Sequence, residues 1–524
     1  MTRFTPPILG RRTLLSVGAG LGAGLALSQL TACAGPTGAA GPGTISLGLN
    51  RSLVSLDNKL NQFEAAVTVQ RAVRQALTSI DQNLRPQLVL ADRFELDEAS
   101  GSWTVRLRDD VHYSDDTPVT VEDVATALRY YGEVNGSFIV GLFPEMPTVE
   151  PVDDRTFRLH TQRPVAVLDY LMANIHITPA AANEPVELSS GVGSGPYVVT
   201  RANGGTGEYE LARNDRYWGP APSLRNVRVR FVPEESSRVV GLRSGEIDVI
   251  DSISPDSADQ LDGMRGVRIQ RSPGTRINQL FFNFRKPRGH PLADPAVREA
   301  LTYAIDGRAL IDNVLTGSAQ QAEGVVPVAL EGAARTGAFT YDPRQARQRL
   351  DALGVRDLAV KIIWETGEFA ADTFIMEAVQ EMLSDVGVRS TLQQFEPGGD
   401  ILQWRQGRRG DWDVLGNGFG NPTGLALTSL QGMYAGTPER EETRDTYQGF
   451  VYPEVAGLIS DATAEADRDA RNLLLTDVQQ RIWDLWPCLW AFVPDAVLAH
   501  RTRMTDPALK PINSYDLASV ALEG

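Results

Sequence analysis

The chain has 524 residues, with 50 basic and 66 acidic side chains and a formal charge of −16. So acidic a body repels nucleic acid and anionic lipid headgroups alike, which excludes both as partners for its bulk. Its length exceeds what one hydrophobic core supports, so two or three lobes are expected, and two cysteines cannot supply a disulfide framework for them.

The first motif is Gly10-Arg11-Arg12-Thr13-Leu14-Leu15, followed by an uncharged run and closed by Leu30-Thr31-Ala32-Cys33. Gly18, Gly20, Gly22 and Gly24 make this run a poor buried helix, and it barely reaches spanning length, which disfavours a transmembrane anchor. The pattern resembles a twin-arginine export signal ending in a bacterial lipobox, which implies removal of residues 1–32 and acylation of Cys33. Losing Arg3, Arg11 and Arg12 takes the formal charge from −16 to −19. Small residues over 34–43 then suit a flexible tether between lipid and folded body.

Beyond the tether, strand and helix patterns alternate. Trp103, Val105 and Leu107 alternate with polar neighbours and predict a half-buried strand. Thr120-Val121-Glu122-Asp123 predicts a capping box opening a helix with Val121, Val124 and Leu128 inward. Val227, Val229 and Phe231 predict a second strand; a helix ending near Gly245 and a short buried strand over 247–250 follow. Asp294 predicts an N-cap with Pro295 at the first helical position, and Val297, Ala300, Leu301, Ala304 and Ile305 form one apolar stripe. Another helix is expected from about Asp306 to Leu315, stopping at Gly317. Such alternation indicates α/β lobes, mixed sheets covered by helices.

Catalytic signatures are missing: the chain has no G-x-S-x-G elbow, no S-x-x-K and no Walker phosphate loop. Its five histidines are scattered, so no H-E-x-x-H zinc site exists, and no metal or cofactor is expected. Gly191-Val192-Gly193-Ser194-Gly195-Pro196-Tyr197 lacks the dinucleotide order and runs into a strand rather than a helix. Cys488 sits among apolar neighbours and is expected to be a buried, inert thiol.

Read together, several segments carry a resemblance. Leu90-Ala91-Asp92 leads through Trp103–Val111 to Tyr113-Ser114-Asp115-Asp116-Thr117-Pro118-Val119-Thr120, with Asp116 where glycine is usual. Gly193-Ser194-Gly195-Pro196-Tyr197, Asn214-Asp215-Arg216-Tyr217-Trp218, Ser244-Gly245-Glu246-Ile247-Asp248, Phe282-Asn283-Phe284 and Pro295–Leu301 follow in order, then Ala304-Ile305-Asp306 and Tyr341-Asp342-Pro343. The set resembles the family 5 extracellular solute-binding proteins, the dipeptide, oligopeptide and nickel class. The resemblance implies a bilobal periplasmic-binding-protein-like fold with an extra inserted domain. Residues 44–82, 187–275 and 487–524 would form the first lobe, 83–186 the insertion and 276–486 the second lobe, with hinges crossing near 275 and 487.

The resemblance also implies a function: capture of a solute, a peptide first, for an ABC importer whose permease and ATPase are separate chains. The protein would be a monomer on the extracytoplasmic face of the membrane, touching it through lipid alone. In peptide-binding members an aspartate of the second lobe pairs with the ligand's amino terminus. Its place here, by spacing to Pro422, holds Gly418, which puts that anchor in doubt. Asn417, Gly418, Phe419 and Asn421 are the candidate ligand contacts, with Trp364, Trp404 and Trp412 as candidate cleft walls. Asp413 is expected in the strand turn, and Trp483, Trp486 and Trp490, at helical spacing, in the core. A metal-complex or oligosaccharide receptor on the same fold, and a surface-tethered hydrolase, stay open as alternatives.

Overall fold

The structure is a computed structural model that describes residues 43–523 except 54, 60–63, 134–137, 181–190 and 204. All of these fall in one compact unit, Ala39–Gly524. The export signal, Cys33 and most of the tether lie outside the described residues.

Two sheet systems, each wrapped by helices, make an α/β molecule of two lobes. In the first, strand Thr44–Leu49 runs parallel to Asn226–Phe231, Ile45 opposite Val227, and on its other edge parallel to Val249–Asp251. All six of its residues are buried, as in a parallel strand covered on both faces. Glu208–Arg213 and Tyr197–Asn203 extend the sheet antiparallel. Helix Glu64–Val73 packs one face through Ala66, Val69 and Val73, while Leu242 and Leu261 of helices Glu235–Ser244 and Pro255–Leu261 belong to a separate apolar cluster. In the second lobe, Ala359–Glu365 lies parallel to Arg389–Phe395 and Val414–Phe419, and the last pairs antiparallel with Ile277–Phe282. A separate antiparallel sheet is built by Ala91–Asp97, Ser102–Leu107, Thr156–His160 and Thr148–Pro151, within the stretch read as the insertion. Its core residues Val105, Phe157 and Leu159 join the same apolar cluster as the second lobe. Glu331 of the second lobe meets this region, accepting from Tyr170 Oη and pairing with Arg85.

One strand belongs to both lobes. Cys488–Arg501 pairs through its first half with Ile277–Phe282 and Ala319–Gln321, and through its second half with Val267–Pro273 and Val249–Asp251. The chain also crosses at Gly274–Arg276, between the strands Val267–Pro273 and Ile277–Phe282. The two crossings touch: a Cβ at Gly274 would collide with the Pro494 carbonyl oxygen. Thr275 ties them down, its N–H donating to Pro511 O at 3.2 Å and its hydroxyl to Asn421 O at 2.8 Å.

Local signals translate directly. Thr120 and Asp123 form the capping box of helix Val121–Gly132, and Asp294 caps helix Pro295–Thr302. The long strand, expected to cross near 487, changes partners at Pro494–Asp495: residues 488–494 pair with Ile277–Phe282 and Ala319–Gln321, and 495–501 with Val267–Pro273. Two expectations need correcting. The helix after Asp294 ends at Thr302, so Ala304 and Ile305 are buried in the following turn, and the expected 306–315 helix is a short turn capped by Asp306 that runs into a π-helical turn, Leu310–Val314. Trp483 closes helix Arg468–Asp484 whereas Trp490 lies on the long strand, so their spacing reflects two elements rather than one helix; both are buried and Trp486 is half-buried.

Asp248, fully buried, locks the first lobe: it accepts from Ser46 N–H at 2.9 Å and from Arg503 Nε and Nη2 at 2.6 and 2.7 Å. Asp248→Ala leaves Ser46 N–H and Arg503 Nε without their acceptor, while Arg503 Nη2 keeps Thr44 O at 2.9 Å, and should cost about 3 kcal/mol, the lower end of the range because Arg503 is 36% exposed. Urea denaturation tests this, and a loss under about 1 kcal/mol would show the pair to be incidental.

Candidate functional site

A cavity of about 690 Å³ lies where the crossings meet, lined by residues of both lobes and of the insertion. Its walls follow from local architecture. Motif residues Gly193–Tyr197 dock on the end of helix Glu64–Val73, Gly195 N–H donating to Val73 O at 3.0 Å. Asn214 Nδ2 holds that segment through Gly195 O at 3.1 Å, and Tyr217 and Trp218 hydrogen-bond Gln75 just beyond the helix. Two family motifs thus brace residues 73–75, and the helix end they brace presents Arg71 to the cavity.

Arg71 is poorly compensated. Its Nη1 is sealed from solvent with no hydrogen-bond partner among the described residues, and its Nη2 makes one long contact to Ala173 O, 3.5 Å. Burial pulls its pKa down to about 10. Its neighbour His176, also on the wall, is pushed down to about 3 by burial and by the charges of Arg71 and Arg74. Behind them Lys510, donating to Ile80 O, falls to about 8 through burial and the field of Arg71.

The opposite wall is the end of strand Val414–Phe419 and the turn after it. Gly418 N–H donates to Glu368 Oε1 at 3.0 Å, and Glu368 is also paired with Arg276. Arg276 Nε donates to Asn278 Oδ1 at 3.0 Å. These side chains lie over Gly418: a Cβ there would collide with both Asn278 Oδ1 and Arg276 Nη2. A side chain at 418 would have to displace the Asn278 carboxamide and the Arg276 guanidinium, which fills the space it would enter. Tyr447 donates to Asn417 Oδ1, its own hydroxyl pushed up to about 12 by burial, and Arg405 stacks over its ring at 4.9 Å. Phe138 of the insertion faces Phe419 of the second lobe, ring centroids 5.9 Å apart.

Of the candidates named from sequence, Asn417, Gly418, Phe419 and Asn421 line this cavity together. Asn421 does so with its backbone side only, since its carboxamide is spent within the turn on Leu425 O, Ser429 Oγ, Thr423 and Gly424. Trp364, Trp404 and Trp412 are not among its lining residues. Trp364 and Trp412 are core residues of the second lobe, Trp412 Nε1 donating to Trp404 O at 2.8 Å, and Trp404 packs on Phe395 under Lys361. Their size and apolarity served packing, which sequence alone does not separate from a cleft wall. Asp413 is a strand-turn residue, accepting from Lys361 N–H at 2.7 Å and pairing with Lys286 at 2.7 Å. Cys488 is buried, its thiol pushed up by burial. Sequence reading missed Arg51, Arg71, Arg276, Arg405 and Glu368, which no periodic signal sets apart from solvent-facing charges. Among the described residues no group of three or more His, Cys, Asp or Glu side chains is placed to hold a metal ion, and no helix is long and apolar enough to cross a membrane.

Comparison with known proteins agrees with this architecture. The model of the bacterial extracellular solute-binding proteins, family 5, matches residues 85–440. The glutathione-binding protein GsiB of Escherichia coli K12 is 23% identical over 478 residues, covering 88% of this chain and 92% of that protein. DppA from Helicobacter pylori, solved with the peptide STSA, superimposes with a TM-score of 0.76 at 19% identity over 92% of this chain and 98% of its own. NikA from Staphylococcus aureus, solved with Ni(L-His)2, gives 0.73 at 17% identity over 92% and 100%.

The buried histidine sets a pH dependence. Between its ordinary value near 6.5 and about 3, the unfolded chain binds a proton that folded His176 refuses. Its contribution to stability is therefore intact above about pH 6.5 and declines as pH falls through that window. His176→Gln should lose less stability than the parent between pH 7 and pH 5, by urea midpoints. Parallel declines would show that His176 is not held neutral.

Proposed function

Because the chain belongs to the bacterial extracellular solute-binding proteins of family 5, solute-binding proteins and not enzymes, we propose that it captures short peptides or peptide-like solutes for an ABC importer. The observation that carries this reading is the position of the cavity, at the contact of the two crossings and lined from both lobes. Clefts between domains are the usual sites for small solutes. In this reading residues 44–82, 187–275 and the chain from Asp495 onward form the first lobe, 83–186 the insertion and 276–494 the second lobe. Rotation about Gly274–Arg276 and Pro494–Asp495 opens and closes the cavity. Asn417 and Phe419 would contact the solute beside Gly418, whose backbone groups are taken by Glu368 and Tyr447, offering an amide and a ring to an extended chain. Permease and ATPase would be separate proteins. The receptor would act as a monomer, held outside the membrane by lipid on Cys33.

The lipid claim is tested by Cys33→Ala, which should release the protein from the membrane fraction or leave an uncleaved precursor. Unchanged fractionation with normal cleavage would contradict it.

The ligand claim is tested by calorimetry with one tripeptide in free and N-acetylated form. Since Gly418 supplies no carboxylate and Glu368 is already engaged, both forms should bind within about threefold of each other, under about 0.7 kcal/mol. A tenfold loss on acetylation, about 1.4 kcal/mol, would mean that an acid anchors the amine after all. Binding of a nickel–histidine complex or an oligosaccharide with no peptide binding would move the ligand class and leave the receptor reading standing.

A further inference from the structure

Among the described residues, four arginines, Arg51, Arg71, Arg276 and Arg405, and one acidic residue, Glu368, line the cavity. In a chain of net charge −16, the cavity is locally cationic. Among the described residues the one lining carboxylate, Glu368, is spent, shared between Arg276 and Gly418 N–H. Among the described residues, Arg51, Arg71 and Arg405 form no ion pair closer than 4 Å. Glu365 feels the fields of Arg51 and Arg405, while burial and the charge of Glu368 raise its pKa.

Two of these arginines also hold orphaned donors on opposite walls. Arg71 Nη1, on the first lobe's helix Glu64–Val73, and Arg405 Nε, on the second lobe's helix Ile401–Arg405, are both out of reach of solvent and without a hydrogen-bond partner among the described residues. A buried guanidinium donor left empty costs free energy in the fold, and both side chains also line the cavity, where an anion can approach them. Carboxylates match the fork of a guanidinium in a way that neutral amides do not. At the point where a side chain from position 418 would enter, the occupant is the Arg276 guanidinium.

We infer that the cavity selects a solute with at least two anionic groups, one taken by Arg71 on the first lobe and one by Arg405 on the second. This rests on the receptor reading above and narrows it to a chemical class, an acidic peptide or other small polycarboxylate. Because the two anchors stand on different lobes, such a solute also draws the lobes together, which a monoanion satisfying one wall does not.

The test equilibrates the purified full chain with the low-mass fraction of a tryptic protein digest supplemented with yeast extract, then identifies captured solutes by native mass spectrometry. Parent, Arg71→Gln, Arg405→Gln and the double variant are compared, alongside their melting temperatures without solute. The captured species should carry two or more carboxylate or phosphate groups, and each single variant should reduce capture at least tenfold. Arg71→Gln should melt no lower than the parent, because it removes a poorly compensated buried charge; a lower melting temperature marks Arg71 as structural and overturns its role as an anchor. Capture of neutral or cationic solutes, or capture unchanged in the double variant, overturns the inference and leaves the receptor intact. Capture of nothing from the mixture by the parent overturns the receptor reading, and the inference falls with it.

Discussion

One strand, Cys488–Arg501, is hydrogen-bonded into both lobes, and the rest of the molecule is arranged around that constraint. A strand cannot slip its register without turning its side chains to the wrong face, so each half of it is pinned by its own sheet. Freedom is left only where the pairing changes hands, at Pro494–Asp495, and where the neighbouring chain crosses, at Gly274–Arg276. Both sit against one another with no room for a side chain at 274. The cavity opens on this spot, so a small rotation at two adjacent crossings moves opposite walls relative to each other.

Charge gives the cavity its character. The acidic exterior keeps the body from anionic surfaces and says nothing of its ligand. Inside, cations crowd: His176 is held neutral, Lys510 is depressed and Arg71 has little to bond with. Leaving a buried cation without a partner costs several kcal/mol, whereas a charge-assisted hydrogen bond returns about 1.5–3 kcal/mol. A fold that tolerates the first without a structural gain points to use of the second. The Glu368–Arg276 pair serves a different end, fixing the Gly418 edge of the strand against the hinge.

How much of this was legible depended on how local each signal was. Thr120 with Asp123 and Asp294 with Pro295 declared their helix starts because capping is decided within four residues. The motifs Gly193–Tyr197 and Asn214–Trp218 were readable as marks of a family, but their common task of bracing residues 73–75 appears only when the chain is folded. Asn417–Phe419 could be placed at the cleft from the missing aspartate, yet the reason for glycine at 418 lay in Arg276 and Asn278, far away in sequence. Arg71 and Arg405 drew no reading from the sequence, since nothing in a helical pattern says that a second lobe will face them. The crossing at Asp495 stayed hidden because a strand passing from one sheet to the next keeps its pattern.

The central claim is that two lobes close on a solute around shared strands. Small-angle X-ray scattering on ligand-free protein, then at saturating concentration of the solute it captures, measures this directly. The account predicts a smaller radius of gyration with solute bound. A scattering profile unchanged at saturation would mean a rigid site and would contradict the hinge.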